Sequence, residues 1–381
     1  MKLKRKLSEF LKRETVLTVA VFLAIVSAVM TPPDREYAGY IDFRTLSILF
    51  CLMTVMAGLQ KLGVFRNIAK TLLRYTQNTI QLVEVLVLLC FFFSMIITND
   101  VSLITFVPFT FIVLRLTGEE AVKKLAVPVI VLQTIAANLG SMLTPIGNPQ
   151  NLYLYGKTQM SAGTFILLML PYSLVSLLLL VICGVIVAKR SRIEVRGAEV
   201  LLTEDEKLEQ KKYLLPAYLL LFVLCLLTVA HMIPYPVTLV TVALAVLLLD
   251  RGTIIKVDYS LLLTFVGFFI FIGNMGRMPA FCDFLQKIIG GREVMTAVIA
   301  SQVISNVPAA LLLSGFTENI TALIIGTNLG GLGTLIASMA SLISYKQVAR
   351  QIPGEKKKYF GWFTIANIVF LMILVLENCL L

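Results

Sequence analysis

Ala137 to Leu152 reads ANLGSMLTPIGNPQNL, and it sets Gly140, Pro145, Gly147, Pro149 and four amide side chains inside otherwise membrane-grade sequence. No helix runs through such a stretch unbroken, because proline removes a backbone donor and freed backbone groups at membrane depth need protein or a cavity to satisfy them. The pattern returns 190 residues later. Thr327 to Leu342, TNLGGLGTLIASMASL, keeps Asn328, Leu329, Gly330, Thr334, Ile336 and Leu342 opposite Asn138, Leu139, Gly140, Thr144, Ile146 and Leu152, six identities in 16 positions. Interrupted apolar segments at corresponding places in two halves of a chain point to the binding site of a secondary transporter.

Composition agrees: 58% of the 381 residues are hydrophobic, 14% are charged, and the mean hydropathy is +0.89. The sequence predicts an all-α polytopic membrane protein. A net charge of +11 resembles a nucleic-acid footprint, but the basic residues sit in short loops between apolar spans, which excludes nucleic acid as a partner. Cys51, Cys90, Cys183, Cys225, Cys282 and Cys379 are scattered singly with no CxxC spacing, so neither a disulfide framework nor a zinc site is indicated.

Residues 1–43 form an amino-terminal cytoplasmic segment and an uncleaved first helix, since TPPD after Met30 offers no cleavage site. A first repeat follows over 44–188, a charged cytoplasmic linker over 189–212 and a second repeat over 213–381. Asp42 is read as a helix cap. Within the first repeat, Gln81 to Leu116 is largely apolar and interrupted at Thr98-Asn99-Asp100. Two arms of about 16 residues reach about 24 Å and fall short of a core of about 30 Å, so a re-entrant hairpin is expected. Its counterpart is Glu293 to Phe316, broken at Ser305-Asn306-Val307-Pro308 and too short to cross twice. The layout is about nine transmembrane helices plus two re-entrant hairpins and two broken helices. It leaves 27 of the 33 basic residues inside, with only Arg35, Arg44, Lys157, Arg277, Lys287 and Arg292 outside, as the positive-inside rule requires. The number of crossings between matching spans is odd, so the repeats are inverted.

A helix broken within the membrane exposes N–H groups at one new end and carbonyls at the other, partial charges that suit anions and cations respectively. No Lys or Arg lies in the two hairpin tips or the two breaks. Substrate contacts are therefore assigned to Thr98, Asn99, Asn148, Asn151, Ser305, Asn306, Ser338 and Ser341. Asp100 is the one acid in these motifs, and an ionisable group at membrane depth is a candidate proton carrier or sodium ligand. With Asn138, Thr144, Asn328 and Thr334 it makes the coupling-ion set, sodium at the breaks being the candidate metal and no other cofactor being expected. The contrary assignments are that Asp100 caps the hairpin through Ser102 or Leu103, and that the amides only close off broken backbone. Glu84 and His231 are read as structural.

ITNDVSLITFVPF, NLGSMLTPIGNPQNLYLYG, SQVISNVPAALLL and TNLGGLGTLIASMASLI, in this order, resemble the signature stretches of the ion transporter superfamily, which includes arsenite permeases, NhaD-type antiporters and citrate and divalent anion symporters. The likeness runs from Asp42 to Ser344 and is nearest to small bacterial inner-membrane anion permeases. It implies an elevator-type carrier, a site between hairpin tips and breaks, and a homodimer. Divalent anion symporters carry Ser-Asn-Thr at both tips; here they read Thr98-Asn99-Asp100 and Ser305-Asn306-Val307. The expected function is sodium- or proton-coupled transport of a small anion across the inner membrane, with the amino terminus cytoplasmic and lipid as the surrounding partner. A sodium/proton antiporter is the alternative. An intramembrane enzyme is disfavoured, because one loop histidine and scattered cysteines supply no catalytic constellation.

Overall fold

The computed structural model describes residues 14–193 and 213–381. The basic amino terminus and most of the charged linker, including Asp205, lie outside the described residues. Every regular element described is a helix, and seven of the helices are long and apolar enough to cross a membrane. The protein is an all-helical polytopic membrane protein.

Among the described residues, nine α-helices precede the linker: α1 (Thr15–Met30), α2 (Tyr37–Tyr40), α3 (Phe43–Lys61), α4 (Val64–Leu73), α5 (Thr79–Ile97), α6 (Asn99–Thr117), α7 (Glu119–Ser141), α8 (Pro149–Gly156) and α9 (Ala162–Ser191). After a single helix α10 (Leu214–Val229), nine more α-helices follow in the same order, with one 3-10 turn, Pro353–Glu355, ahead of the last. They are α11 (Tyr235–Leu249), α12 (Arg251–Ile254), α13 (Tyr259–Gly276), α14 (Pro279–Ile289), α15 (Glu293–Ile304), α16 (Asn306–Leu313), α17 (Ile320–Leu329), α18 (Met339–Gln351) and α19 (Lys356–Leu380).

The correspondence extends to single caps. Asp42 opens α3 at φ −78°, ψ 84° and accepts from the Thr45 N–H at 2.9 Å. Asp258 opens α13 at φ −77°, ψ 83° and accepts from the Leu261 N–H at 3.0 Å. The cap read for Asp42 is therefore present and occurs twice. Each such cap contributes about 1 kcal/mol.

Neighbours are exchanged between the two sets. Helix α1 packs on α13 while α11 packs on α3; α8 packs on α16 and α17 while α18 packs on α6 and α7. Gly267 permits the first of these contacts, because a Cβ there would lie 3.0 Å from that of Ala20. The Tyr153 and Ser314 hydroxyls, 2.9 Å apart, join α8 to the end of α16.

Two features differ from the sequence expectation. The arms α5 and α6 have 19 residues each, so they reach about 28 Å and come within about 2 Å of a full hydrocarbon core. They are longer because Asn78 caps α5 through the Gln81 N–H and the polar Thr79 and Thr117 continue the helices. Arm length therefore does not separate a re-entrant pair from a crossing one. The second difference is α4 and α14, helices that follow α3 and α13 and lead into the two hairpins. In α4, Phe65, Ala69 and Leu73 turn inward while Arg66, Lys70 and Arg74 share the turns between them, an amphipathic pattern suited to a membrane surface.

Candidate functional site

The hairpin tips share one backbone shape. Thr98 sits at φ 73°, ψ 151° and Ser305 at φ 75°, ψ 154°, a region that side chains avoid and that costs on the order of 1–3 kcal/mol per residue. What holds each tip there is also the same. The Asn99 N–H donates to the Gly147 carbonyl at 3.1 Å, and the Asn306 N–H donates to the Ala337 carbonyl at 2.9 Å. Each asparagine then folds back to accept from the next N–H, of Asp100 or Val307, both at 2.9 Å. Gly147 can serve because it lacks a Cβ, which would lie 2.1 Å from the Ser141 carbonyl oxygen.

The breaks occupy the segments 142–148 and 330–338, and Asn148 and Ser338 begin the helices beyond them. Asn148 Oδ1 accepts from the Asn151 N–H at 2.9 Å; Ser338 Oγ accepts from the Ala340 N–H at 3.2 Å. Asn138 Oδ1 accepts from Asn99 Nδ2 of its own half at 3.2 Å and, across the interface between the halves, from Ser338 Oγ at 2.9 Å, while its Nδ2 donates to Ser341 Oγ at 3.5 Å. Asn328 mirrors it: Oδ1 accepts from Asn148 Nδ2 at 3.0 Å, and Nδ2 donates to Asn151 Oδ1 at 2.6 Å. The asparagine before each break thus bonds to the residues after the other one. None of these asparagines and serines is more than 5% exposed, so leaving one unpaired would cost about 1–3 kcal/mol.

The Ser141 hydroxyl, which donates to the Asn138 carbonyl at 2.9 Å and accepts from Asn148 Nδ2 at 3.2 Å, joins Asn99, Asn138, Asn148, Asn151, Asn328, Ser338 and Ser341 into one network. Ser305 and Asn306 sit at the second tip, where the Asn306 amide nitrogen lies 3.0 Å from the place a Gly331 Cβ would take. The hydroxyls of Thr144 and Thr334 lie apart from the network. The Thr144 hydroxyl donates to the Met95 carbonyl at 2.5 Å, and that of Thr334 donates to the Gln302 carbonyl at 3.1 Å, tying each break to the last turn of its own hairpin's first arm.

Some amides do close broken backbone. Asn151 Nδ2 lies 3.1–3.3 Å from the carbonyls of Ser141, Met142 and Thr144. In the second break Gln302 does this work: it donates to the Gly330 and Leu332 carbonyls at 3.0 and 2.9 Å and accepts from the Thr334 N–H at 2.9 Å. Sequence reading missed Gln302, because its counterpart Met95 in the first hairpin carries no polar group.

Asp100 does not cap the hairpin. The Ser102 N–H goes to the Thr98 carbonyl at 3.1 Å, and Asp100 Oδ1 is buried without a hydrogen-bond partner. Asp100 lines a cavity of about 170 Å³ with Thr98, Asn148, Gln60, Lys256 and Asp258, which lies between the first tip and α3. A second cavity of about 320 Å³ beside Asp42, lined by Tyr40, Tyr153 and Lys157, includes no hairpin-tip residue. His231 lies beside Arg44, with ring nitrogens 3.2 and 3.3 Å from its guanidinium, and burial plus that cation lower its pKa below the usual histidine value. Glu84 packs against Gly184, and both its oxygens are buried without hydrogen-bond partners.

A chain of apolar spanning helices, with two matched hairpins and two broken helices meeting at buried amides, defines a membrane transporter. It belongs to the citrate transporter family, whose model matches residues 7–320. An uncharacterised transporter of Methanocaldococcus jannaschii is 31% identical over 94% of each chain. The inner membrane protein YbiR of Escherichia coli is 32% identical over 82% of each. The silicon efflux transporter LSI3 of Oryza sativa subsp. japonica is 32% identical over 39% of this chain and 30% of its own. These findings bear out the superfamily resemblance carried by the four motifs and point to a transporter rather than an enzyme.

Proposed function

We propose that the protein is a secondary active carrier for a small anion, coupled to sodium or protons, with the substrate held between the hairpin tips and the breaks of two inverted repeats. The observation that carries this reading is the reciprocal bonding of Asn138 to Ser338 and of Asn328 to Asn148, which brings short polar groups and helix ends of both halves to one place. The exchanged packing of α1 on α13 and α11 on α3 supports a repeat that begins at α1, before residue 44, leaving α10 as the joint. The hairpins are re-entrant in this reading. Both arms of the first then begin and end on the side of Lys61 and Lys256, which the basic loops make cytoplasmic.

Of the two cavities beside Asp100 and Asp42, the one on that side reaches a tip, which corresponds to a carrier open inward, and an elevator movement of hairpins and breaks against α3 and α13 would carry the site across. Asp100, facing this cavity, is the coupling group. The protein resides in the cell inner membrane with its amino terminus inside, and a homodimer is the proposed assembly. Sodium/proton antiport is the second reading, favoured by one feature: Asp100 and Asp258 line the same cavity.

Thermal-shift screening against sulfate, citrate, succinate, arsenite and sodium tests the proposal, since a ligand at 100 times its Kd stabilises by about 2.7 kcal/mol. One of the anions should raise the melting temperature. Asn99→Ala and Asn306→Ala should each weaken that anion by roughly 10- to 150-fold, the equivalent of about 1.5–3 kcal/mol for one charge-assisted hydrogen bond. Unchanged affinity in both variants would move the site away from the tips.

A further inference from the structure

A groove of about 510 Å³ runs between α7, α9 and α19, remote from the tips and breaks, and its two ends differ in chemistry. At one end stand Lys123 and Lys124 on α7, Arg190 on α9 and Lys358 on α19. Glu120 pairs with Lys124 at 2.6 Å and Glu355 with Lys358 at 3.0 Å. The Lys358 ammonium also donates to the Lys123 carbonyl at 3.4 Å. The Lys123 and Arg190 side chains hold no ion pair among the described residues and supply the uncompensated charge. Trp362, one turn beyond Lys358, is 44% exposed, as an aromatic at headgroup level would be.

Beyond the cations the walls are apolar: Val131 and Leu132 on α7, Ile186 and Val187 on α9, Ile365 and Val369 on α19. At 1.5 Å per residue they extend about 12 Å past Lys124 and about 17 Å past Lys358, the depth of one leaflet of a hydrocarbon core of about 30 Å. Ile365 and Val369 are 68% and 48% exposed, so the groove opens sideways rather than only at its end.

We propose that this groove is a binding site for one anionic glycerophospholipid, its phosphate on Lys123 and Arg190 and an acyl chain against α7 and α19. A soluble anion would leave the apolar walls unused, and an uncharged lipid would leave the cations uncompensated. Arginine's planar fork matches phosphate oxygens two at a time, and juxtamembrane cations attract anionic headgroups at close range. The inference rests on α7, α9 and α19 spanning the membrane and not on the transport reading; the topology proposed above makes the leaflet the cytoplasmic one.

The test is lipid retention by the full-length protein in detergent, read by native mass spectrometry, with melting temperature alongside. Dioleoyl phosphatidylglycerol should remain bound at one copy and raise the melting temperature, and dioleoyl phosphatidylcholine should do neither. The double variant Lys123→Gln/Arg190→Gln should bind phosphatidylglycerol about 30-fold more weakly, since two surface cations at about 1 kcal/mol each convert to that factor. Val369→Trp keeps every cation but fills the groove, so it should also lose the lipid. Equal retention of phosphatidylcholine, unchanged affinity in either variant, or the same thermal shift from glycerol phosphate alone would overturn the proposal.

Discussion

Thr98 and Ser305 hold a backbone shape suited to glycine, and the tips keep it because the Gly147 and Ala337 carbonyls hold the following N–H groups. In the proposed site, contact between these tip side chains and the substrate would offset the local cost of that shape. Thr98→Gly should leave the melting temperature unchanged or raise it, because relief of about 1–3 kcal/mol of strain offsets the added backbone entropy of about 0.5–1 kcal/mol. Uptake should nonetheless fall, and a variant that loses stability would show that the tip is not strained. Asp42 and the paired asparagines were legible in the sequence because a cap and a repeated motif have short-range signatures. Gln302 was not, since its work depends on carbonyls 28 and 30 residues further along the chain.

Among the elements, both hairpins and both breaks were legible because Gly, Pro and amide residues interrupt apolar runs. Helices α4 and α14 were not: each is too short to span, and the apolar side of each is interleaved with charge. Nor could spacing along the chain reveal that α8 packs on α16 and α18 on α6, since exchange of partners is a property of the folded pair of repeats. This exchange has a measurable consequence. Tyr153→Phe removes the hydroxyl bridge between α8 and Ser314 without changing the ring packing against Phe265 and Phe269, so stability should drop by about 0.5–1.5 kcal/mol. Chemical denaturation in detergent would measure it, and an unchanged midpoint would show that the bridge contributes nothing to holding the halves together.

For the whole molecule, the class of fold followed from hydropathy and the family from four motifs, whereas orientation rests on loop charge. A cysteine at Arg350 should react only with a cytoplasmic reagent and one at Lys157 only with an external reagent. Reaction of both from one side would remove the topology that makes the Asp100 cavity inward-facing. Coupled transport of an anion is tested most directly by accumulation in proteoliposomes. Labelled sulfate, citrate, succinate and arsenite are offered under an imposed sodium or proton gradient, to the native protein and to Asp100→Asn. One anion should accumulate above equilibrium in the native protein, and Asp100→Asn should abolish accumulation while partly retaining binding. Sodium/proton exchange proceeding at full rate with no anion present, and no accumulation of any of the four, would contradict it.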